Sequence, residues 1–143
     1  MQRKPEWWVK LGDFGLTKLQ TDGTVYRTQA GSEKYMGPEL FCYVPGLNAE
    51  TFEYTNAVDI WALGCIVYRI MTRAVPFPSL LSLRNYTNYN EELLFKVPSP
   101  MAEAEAFVRK LLNPHPAKRP TASAALEHSW VITSECYLNL ATS

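Results

Sequence analysis

Ala57-Val58-Asp59-Ile60-Trp61-Ala62-Leu63-Gly64-Cys65-Ile66-Val67-Tyr68-Arg69-Ile70-Met71-Thr72 is the stretch on which the fold turns. Sixteen residues without proline are long enough for four helical turns and too long for an ordinary strand. Thr55 and Asn56 stand before it as N-cap candidates, and Asp59 falls in the first turn, where the helix dipole favours a carboxylate. Pro76 and Pro78 stop it. Val58, Ile60, Trp61, Leu63, Ile66, Val67, Ile70 and Met71 point in every direction around the axis. A helix apolar all round is expected to be covered on most sides, so this segment is read as the axis of the domain.

Outward toward the C-terminus, Ser79–Tyr89 is ambiguous and 91–97 is read as one or two helical turns. Ser99-Pro100 then offers an N-cap followed by a first-turn proline. Ala104, Phe107, Val108, Leu111 and Leu112 recur at i, i+3, i+4, i+7 and i+8, one apolar stripe of a helix that Asn113-Pro114-His115-Pro116 ends. A last helix is expected at about Ala122–His128. Toward the N-terminus, Pro38-Glu39-Leu40-Phe41 opens a short helix and 16–35 shows no sustained period, so it is read as a long loop. Trp7-Trp8-Val9-Lys10-Leu11 reads as a short strand ending at Gly12-Asp13-Phe14-Gly15. The expectation is a mainly helical domain with one strand remnant at its front.

Composition narrows the function classes. The chain has 143 residues, 47% apolar and 20% charged, an ordinary globular balance. Fourteen Lys and Arg against fourteen Asp and Glu leave no basic footprint for nucleic acid or for an anionic membrane. The apolar run Ile60–Tyr68 is far short of the roughly 20 residues that span a bilayer. Cys42, Cys65 and Cys136 form no CxxC pair, and with two histidines a structural zinc site is not expected. Reduced thiols fit a cytoplasmic or nuclear setting.

Four strings carry the candidate chemistry. An acid at the end of a strand between glycines, Asp13, suits either a Mg²⁺ ligand or a turn that bonds its own backbone. Glu39 in a first helical turn, Asp59 on an apolar helix and Arg119 between Pro116 and Pro120 each have a bland reading alone. Asp59 must find donors if it is buried, since an unpaired buried charge is very costly.

Taken in order, Val9-Lys10-Leu11-Gly12-Asp13-Phe14-Gly15-Leu16, 31–39 (GSEKYMGPE), 57–77 (AVDIWALGCIVYRIMTRAVPF) and 111–130 (LLNPHPAKRPTASAALEHSW) resemble the eukaryotic protein kinase domain of the Ser/Thr kind. They are similar to its metal-binding DFG loop, the A-P-E end of its activation segment, the D-x-W-x-x-G helix and the closing D-P-x-x-R-P-T segment. The resemblance implies a truncated large, C-terminal lobe, with a short β remnant before the DFG loop. It divides the chain into the DFG strand and activation segment (8–39), the helical lobe (40–131) and a tail (132–143).

The resemblance also assigns roles. Asp13, with Phe14 and Gly15, would hold Mg²⁺ bridging the phosphates of ATP. Thr28 stands where an activating phosphate is often carried, and Ser32 and Tyr35 belong to the same regulatory segment. Glu39 and Arg119 match a buried ion pair tying that segment to the lobe. Asp59 matches the acid that anchors the catalytic loop. Gly37 for Ala and Ser32 for Thr depart mildly from the pattern, and His115 for Asp loses a local acceptor. The larger departure is that no glycine-rich loop, ATP-gripping Lys or H-R-D-x-x-x-x-N loop occurs in the 143 residues, and only 12 precede Asp13. The expectation is a piece of an ATP-dependent protein kinase acting on Ser/Thr of protein substrates, inactive by itself, with no catalytic base in this chain. Its exposed core would need the missing small lobe or another chain to cover it. The alternative is a non-catalytic, kinase-like binding or scaffold module.

Overall fold

The computed structural model describes residues 33–47, 56–89, 91–95 and 102–133. The expected strand at 7–11 lies outside them, and among the described residues there is no strand. In chain order come two 3-10 turns, Glu33–Tyr35 and Pro38–Phe41, then α1 (Ala57–Thr72), α2 (Leu80–Tyr89) and α3 (Ala102–Leu111). A 3-10 turn at Pro116–Lys118 and α4 (Ala122–Leu126) follow. The chain is mainly helical, as its periodicities indicate.

α1 has the bounds its pattern predicts. Its start differs in detail: the Asn56 side chain makes no cap, and its carbonyl accepts from Asp59 N and Ile60 N instead. Its end is set by Arg73, at φ 61°, whose N–H donates to Arg69 O at 2.8 Å. That left-handed position is one glycine usually fills, because a Cβ is unwelcome there.

The ambiguous Ser79–Tyr89 stretch is α2. Its Ser79 hydroxyl accepts from Ser82 N, a local start signal hidden in a run of leucines and serines. The helical turns expected at 91–97 do not form over the described 91–95. That stretch is held by bonds from outside it: Tyr68 Oη donates to Leu94 O at 2.7 Å and Arg109 Nη2 to Leu93 O at 3.0 Å. External donors substitute for the helical ladder.

The core lies where α1 meets α3. Trp61, Cys65 and Tyr68 pack with Phe77, Leu83, Leu93, Val108 and Leu112. Trp61 stacks on Phe77 with centroids 5.4 Å apart, and Phe77 meets Tyr86 at 4.9 Å. Gly64 permits the close approach, since a Cβ there would sit 2.8 Å from Leu112 Cδ2 and 2.9 Å from Leu111 Cβ. A second cluster joins Ile60, Phe107, Leu111 and Ala125, with Trp130 and Val131 against it. All five stripe residues from Ala104 to Leu112 are buried.

The expectation of cover on most sides holds for Ile60, Trp61, Cys65 and Tyr68 but not for Leu63, Ile66 and Ile70, which are 40%, 46% and 75% exposed. Among the described residues, α3 and the core aromatics pack on α1 from the side of Trp61, Cys65 and Tyr68.

Candidate functional site

The site is built from two turns that the sequence leaves 80 residues apart. Gly37, in extended conformation, delivers the chain into Pro38–Phe41, where Pro38 takes the first helical position and Glu39 follows it. Cys42, at φ 56°, closes the turn by donating its N–H to Glu39 O. On the other side, the turn Pro116–Lys118 ends at Arg119, extended at φ −74° and ψ 147° ahead of Pro120. Pro120 favours the extended backbone of the residue before it, which sets the direction in which the Arg119 side chain leaves the chain.

Arg119 and Glu39 meet in a two-pronged ion pair. Nη1 donates to Glu39 Oε1 at 2.6 Å and Nη2 to Oε2 at 2.7 Å, and both side chains are fully buried. The remaining donors are also used: Nε bonds Asn113 O at 2.8 Å, Nη1 bonds Ala57 O at 2.8 Å and Nη2 bonds Pro114 O at 3.2 Å. All five N–H groups of the guanidinium thus have acceptors, which is the condition under which a buried arginine is tolerable. Its flat face lies over Trp61, 4.8 Å from the ring centroid, adding a desolvated cation–π contact. One residue thereby joins the Glu39 turn, the start of α1 and the Asn113–Pro114 corner.

The surroundings titrate accordingly. Burial pushes the Cys65 thiol up to about 12, with the Arg119 charge pulling the other way. Burial also raises the Tyr86 phenol, again against Arg109 and Arg119. Cys65 is therefore an inert, protonated part of the core rather than a nucleophile. The arrangement holds no acid or base poised for proton transfer, and mechanically it is a clamp.

Tyr35 ends the turn Glu33–Tyr35, half-buried, and its hydroxyl accepts from Arg69 Nη1 on α1. The 33–41 segment is consequently fastened to α1 directly through Tyr35 and to the Arg119 corner through Glu39. Asp59 is exposed in the first turn of α1, and no described residue hydrogen-bonds its carboxylate. An exposed carboxylate is solvated by water, so the condition under which it must find protein donors does not arise among the described residues. Asp13, Phe14, Gly15, Thr28 and Ser32 lie outside the described residues. No group of three or more His, Cys, Asp or Glu side chains suited to a metal occurs among the described residues.

Sequence reasoning missed four members of the clamp. The carbonyls of Ala57, Asn113 and Pro114 leave no trace in a side-chain pattern, and Trp61 reads as core only. Arg69 was detectable, as the one cation within the apolar helix 57–72, but nothing in its spacing points to Tyr35.

Against known proteins, the family described as "Protein kinase domain" matches residues 1–131. The serine/threonine-protein kinase RAD53 of Saccharomyces cerevisiae is 35% identical over 135 residues, covering 86% of this chain and 16% of that protein. The serine/threonine-protein kinase PLK1 of Xenopus tropicalis is 35% identical over 128 residues, covering 87% of this chain and 20% of that one. Aurora kinase C of Mus musculus is 32% identical, with 86% of this chain and 41% of that one covered. A solved structure of the Rad53 kinase domain and SCD2 in complex with AMPPNP superposes with a TM-score of 0.51 at 28% identity. The match covers 69% of this chain and 38% of that chain. Against these relatives the chain spans a minor share of their length, from 16% to 41%.

Proposed function

The chain belongs to the eukaryotic Ser/Thr protein kinase domain family, and from that premise we propose that it is the activation-segment and large-lobe part of an ATP-dependent kinase that phosphorylates Ser or Thr of proteins. The observation that carries this reading is the Glu39–Arg119 clamp. A fully buried two-pronged pair, with every guanidinium donor used, ties the end of the proposed activation segment to the start of α1. Such a segment has to be held in place for phosphoryl transfer, which is almost entirely positioning and charge stabilisation.

Within this reading Asp13 is the metal ligand. A single carboxylate fits Mg²⁺, which takes oxygen ligands from one or two carboxylates plus phosphates. Bound there, the ion neutralises charge on the phosphates of ATP. Thr28 is the activating phosphorylation site, Ser32 and Tyr35 order the segment, and Asp59 accepts backbone N–H groups of a catalytic loop supplied outside these 143 residues. The chain alone is inactive, since neither the HRD base nor the ATP-gripping Lys occurs in it. Its working place is cytoplasmic or nuclear; among the described residues no helix is long and apolar enough to cross a membrane.

The test is the reading frame upstream of Met1. A product extended through an in-frame H-R-D-x-x-x-x-N should phosphorylate a generic basic protein with labelled ATP and Mg²⁺. Asp13→Ala should abolish that labelling, and the 143-residue chain should give none. A stop codon immediately upstream would favour the other reading, a non-catalytic binding module, for which the exposure of Leu63, Ile66 and Ile70 speaks.

A further inference from the structure

Three arginines make side-chain bonds between described residues, and they spend their donors very differently. Arg119 uses all five N–H groups. Arg109 bonds Leu93 O, pairs with Glu92 and lies over the Phe95 ring. Arg69 is exposed, donates one side-chain bond from Nη1 to the Tyr35 hydroxyl, and has no described carboxylate paired with it. A phenol oxygen holds the guanidinium in place without cancelling its charge. Because that oxygen accepts from Arg69, its own O–H remains a donor. A forked cation and a hydroxyl thus stand together with donors to spare, the chemistry that receives a carboxylate or a phosphate. Lys34 beside Tyr35 and Arg73 one turn beyond Arg69 are exposed cations too, with Glu33 as the acid of the same 3-10 turn.

This pair lies off the bare face of α1. At about 100° per residue, Arg69 stands roughly 60° round the axis from Ile66 and 100° from Ile70. Leu63, Ile66 and Ile70 face the place that the catalytic loop of a longer domain would fill, whereas Arg69 reaches to the Glu33–Tyr35 turn. We propose that Arg69, held by Tyr35, is a specificity-determining residue: it receives an anionic side chain of the protein substrate, close to the Ser or Thr that is phosphorylated. This rests on the kinase reading, in which 8–39 is the segment carrying both Asp13 and Tyr35. A substrate held along that segment for phosphoryl transfer meets the one cation of α1, which is fastened to it. The anion is an Asp or Glu carboxylate, or a phosphate that the substrate already bears. A cation at this place repels Lys and Arg of a substrate as well as attracting acids, so it discriminates in both directions. The site is exposed, and a preference of about fivefold is expected, within the range of exposed charge pairs.

The experiment uses the domain extended upstream through H-R-D-x-x-x-x-N, with labelled ATP and Mg²⁺. Its substrates are three peptides identical but for the residues flanking one Thr: glutamate, phosphoserine or lysine. The glutamate or the phosphoserine peptide should be labelled about fivefold better than the lysine one in kcat/KM, and the better of the two names the anion. A generic basic protein remains a substrate, at a lower rate. Arg69→Glu should reverse the order, Arg69→Lys should keep it, and Tyr35→Phe should narrow it without reversing it. A merely structural Arg69 would instead lower all three rates together and leave their ratios alone. Equal labelling of the three peptides by the unaltered domain, a better lysine peptide, or ratios indifferent to Arg69→Glu overturns the proposal. A domain that labels neither the peptides nor the basic protein overturns the kinase reading first, and this proposal with it.

Discussion

Trp61, Cys65 and Tyr68 on one side of α1 and Leu63, Ile66 and Ile70 on the other are similarly apolar, yet the first three are buried and the second three are 40% exposed or more. Hydropathy does not separate them. What separates them is the presence of a ligand for the protein's own interior: Arg119 sits on the Trp61 side, and it brings three carbonyls and a carboxylate with it. Apolar surface on a helix becomes core only where another part of the chain has a reason to be. On the clamp side that reason is the satisfaction of a buried cation. On the side of Leu63, Ile66 and Ile70 no described residue supplies one, and the contrast implies that substitutions on the two sides differ by an order of magnitude in effect.

The largest effect belongs to Arg119→Ala. It leaves Glu39 as an unpaired charge in a site with no access to water, for which roughly 3–5 kcal/mol is typical. Against a whole-domain stability of about 5–15 kcal/mol, this should lower the urea midpoint severely or prevent folding. The combined change Glu39→Gln/Arg119→Met should be less damaging than Arg119→Ala alone. Both variants strip the donors from Ala57, Asn113 and Pro114, so the difference between their unfolding free energies isolates the stranded charge. Equal losses would mean that the carbonyl bonds, not the carboxylate, dominate the clamp.

Next comes the contact that lets α3 approach. Gly64→Ala should raise helix propensity by about 1 kcal/mol. The added Cβ, however, would sit 2.8 Å from Leu112 Cδ2 and 2.9 Å from Leu111 Cβ. Leu111 and Leu112 are both fully buried, so neither has room to yield. Overpacking of this kind costs about 1–3 kcal/mol, and a net loss measured by denaturant melting is the expected sign. A gain would show that α1 and α3 are held less tightly than their packing indicates.

Cys65 gives the same side of α1 a pH signature. Its folded thiol is pushed up to about 12 by burial, from the ordinary thiol value of 9.0. The unfolded chain therefore releases this proton first, and above about pH 9 the folded state binds more protons than the unfolded one. Stability is whole below that pH and falls as the pH climbs toward 12. Cys65→Ala should flatten this alkaline slope, whatever its cost at neutral pH. In a Cys136→Ser background, Cys42, which is exposed, should react with a thiol reagent in the native state, and Cys65 only on unfolding.

How much of this was legible beforehand follows from the same contrast. The limits of α1 and the stripe from Ala104 to Leu112 came from periodicity, because a helix that buries one face must write that face into its spacing. The pairing of Glu39 with Arg119 was legible only through resemblance to a family, since neither residue is distinctive in its own turn. The bonds to Ala57, Asn113 and Pro114 were not legible at all, being made by backbone oxygens that every residue has. The bare side of α1 was expected to be covered because an all-round apolar helix implies a cover, but not which chain provides it. α2 was ambiguous because Ser79 and Ser82 look like loop residues until they are seen bonding each other.

A subtler change acts at Gly37, where the sequence pattern of the family has Ala. A Cβ there would lie 2.5 Å from Glu39 Oε2 and 2.6 Å from Oε1, so Gly37→Ala must displace the carboxylate. The φ of −71° is open to any residue, and the conflict is steric rather than conformational. The carboxylate is the end of a flexible side chain, but its two oxygens are fixed by Arg119 at 2.6 and 2.7 Å. The carboxylate must move by about 0.5 Å or more to reach even 3.0 Å, which stretches those bonds, and a loss of at least about 1 kcal/mol is expected, the size of one net hydrogen bond. If Gly37→Ala matched Arg119→Ala instead, the clamp would have no slack.

The smallest effect is expected at Ile70. Three quarters of its surface is already in water, so Ile70→Lys removes almost no buried area and replaces a β-branched residue by a better helix former. The change in unfolding free energy should lie within about 0.5 kcal/mol of zero. The same substitution carried to Trp61 would strip the core of its largest fully buried side chain, a loss of several kcal/mol by comparison with large-to-small changes in cores. A loss above about 1 kcal/mol at Ile70 would mean that another part of the chain covers this side of α1 in solution, and the two sides would then be alike.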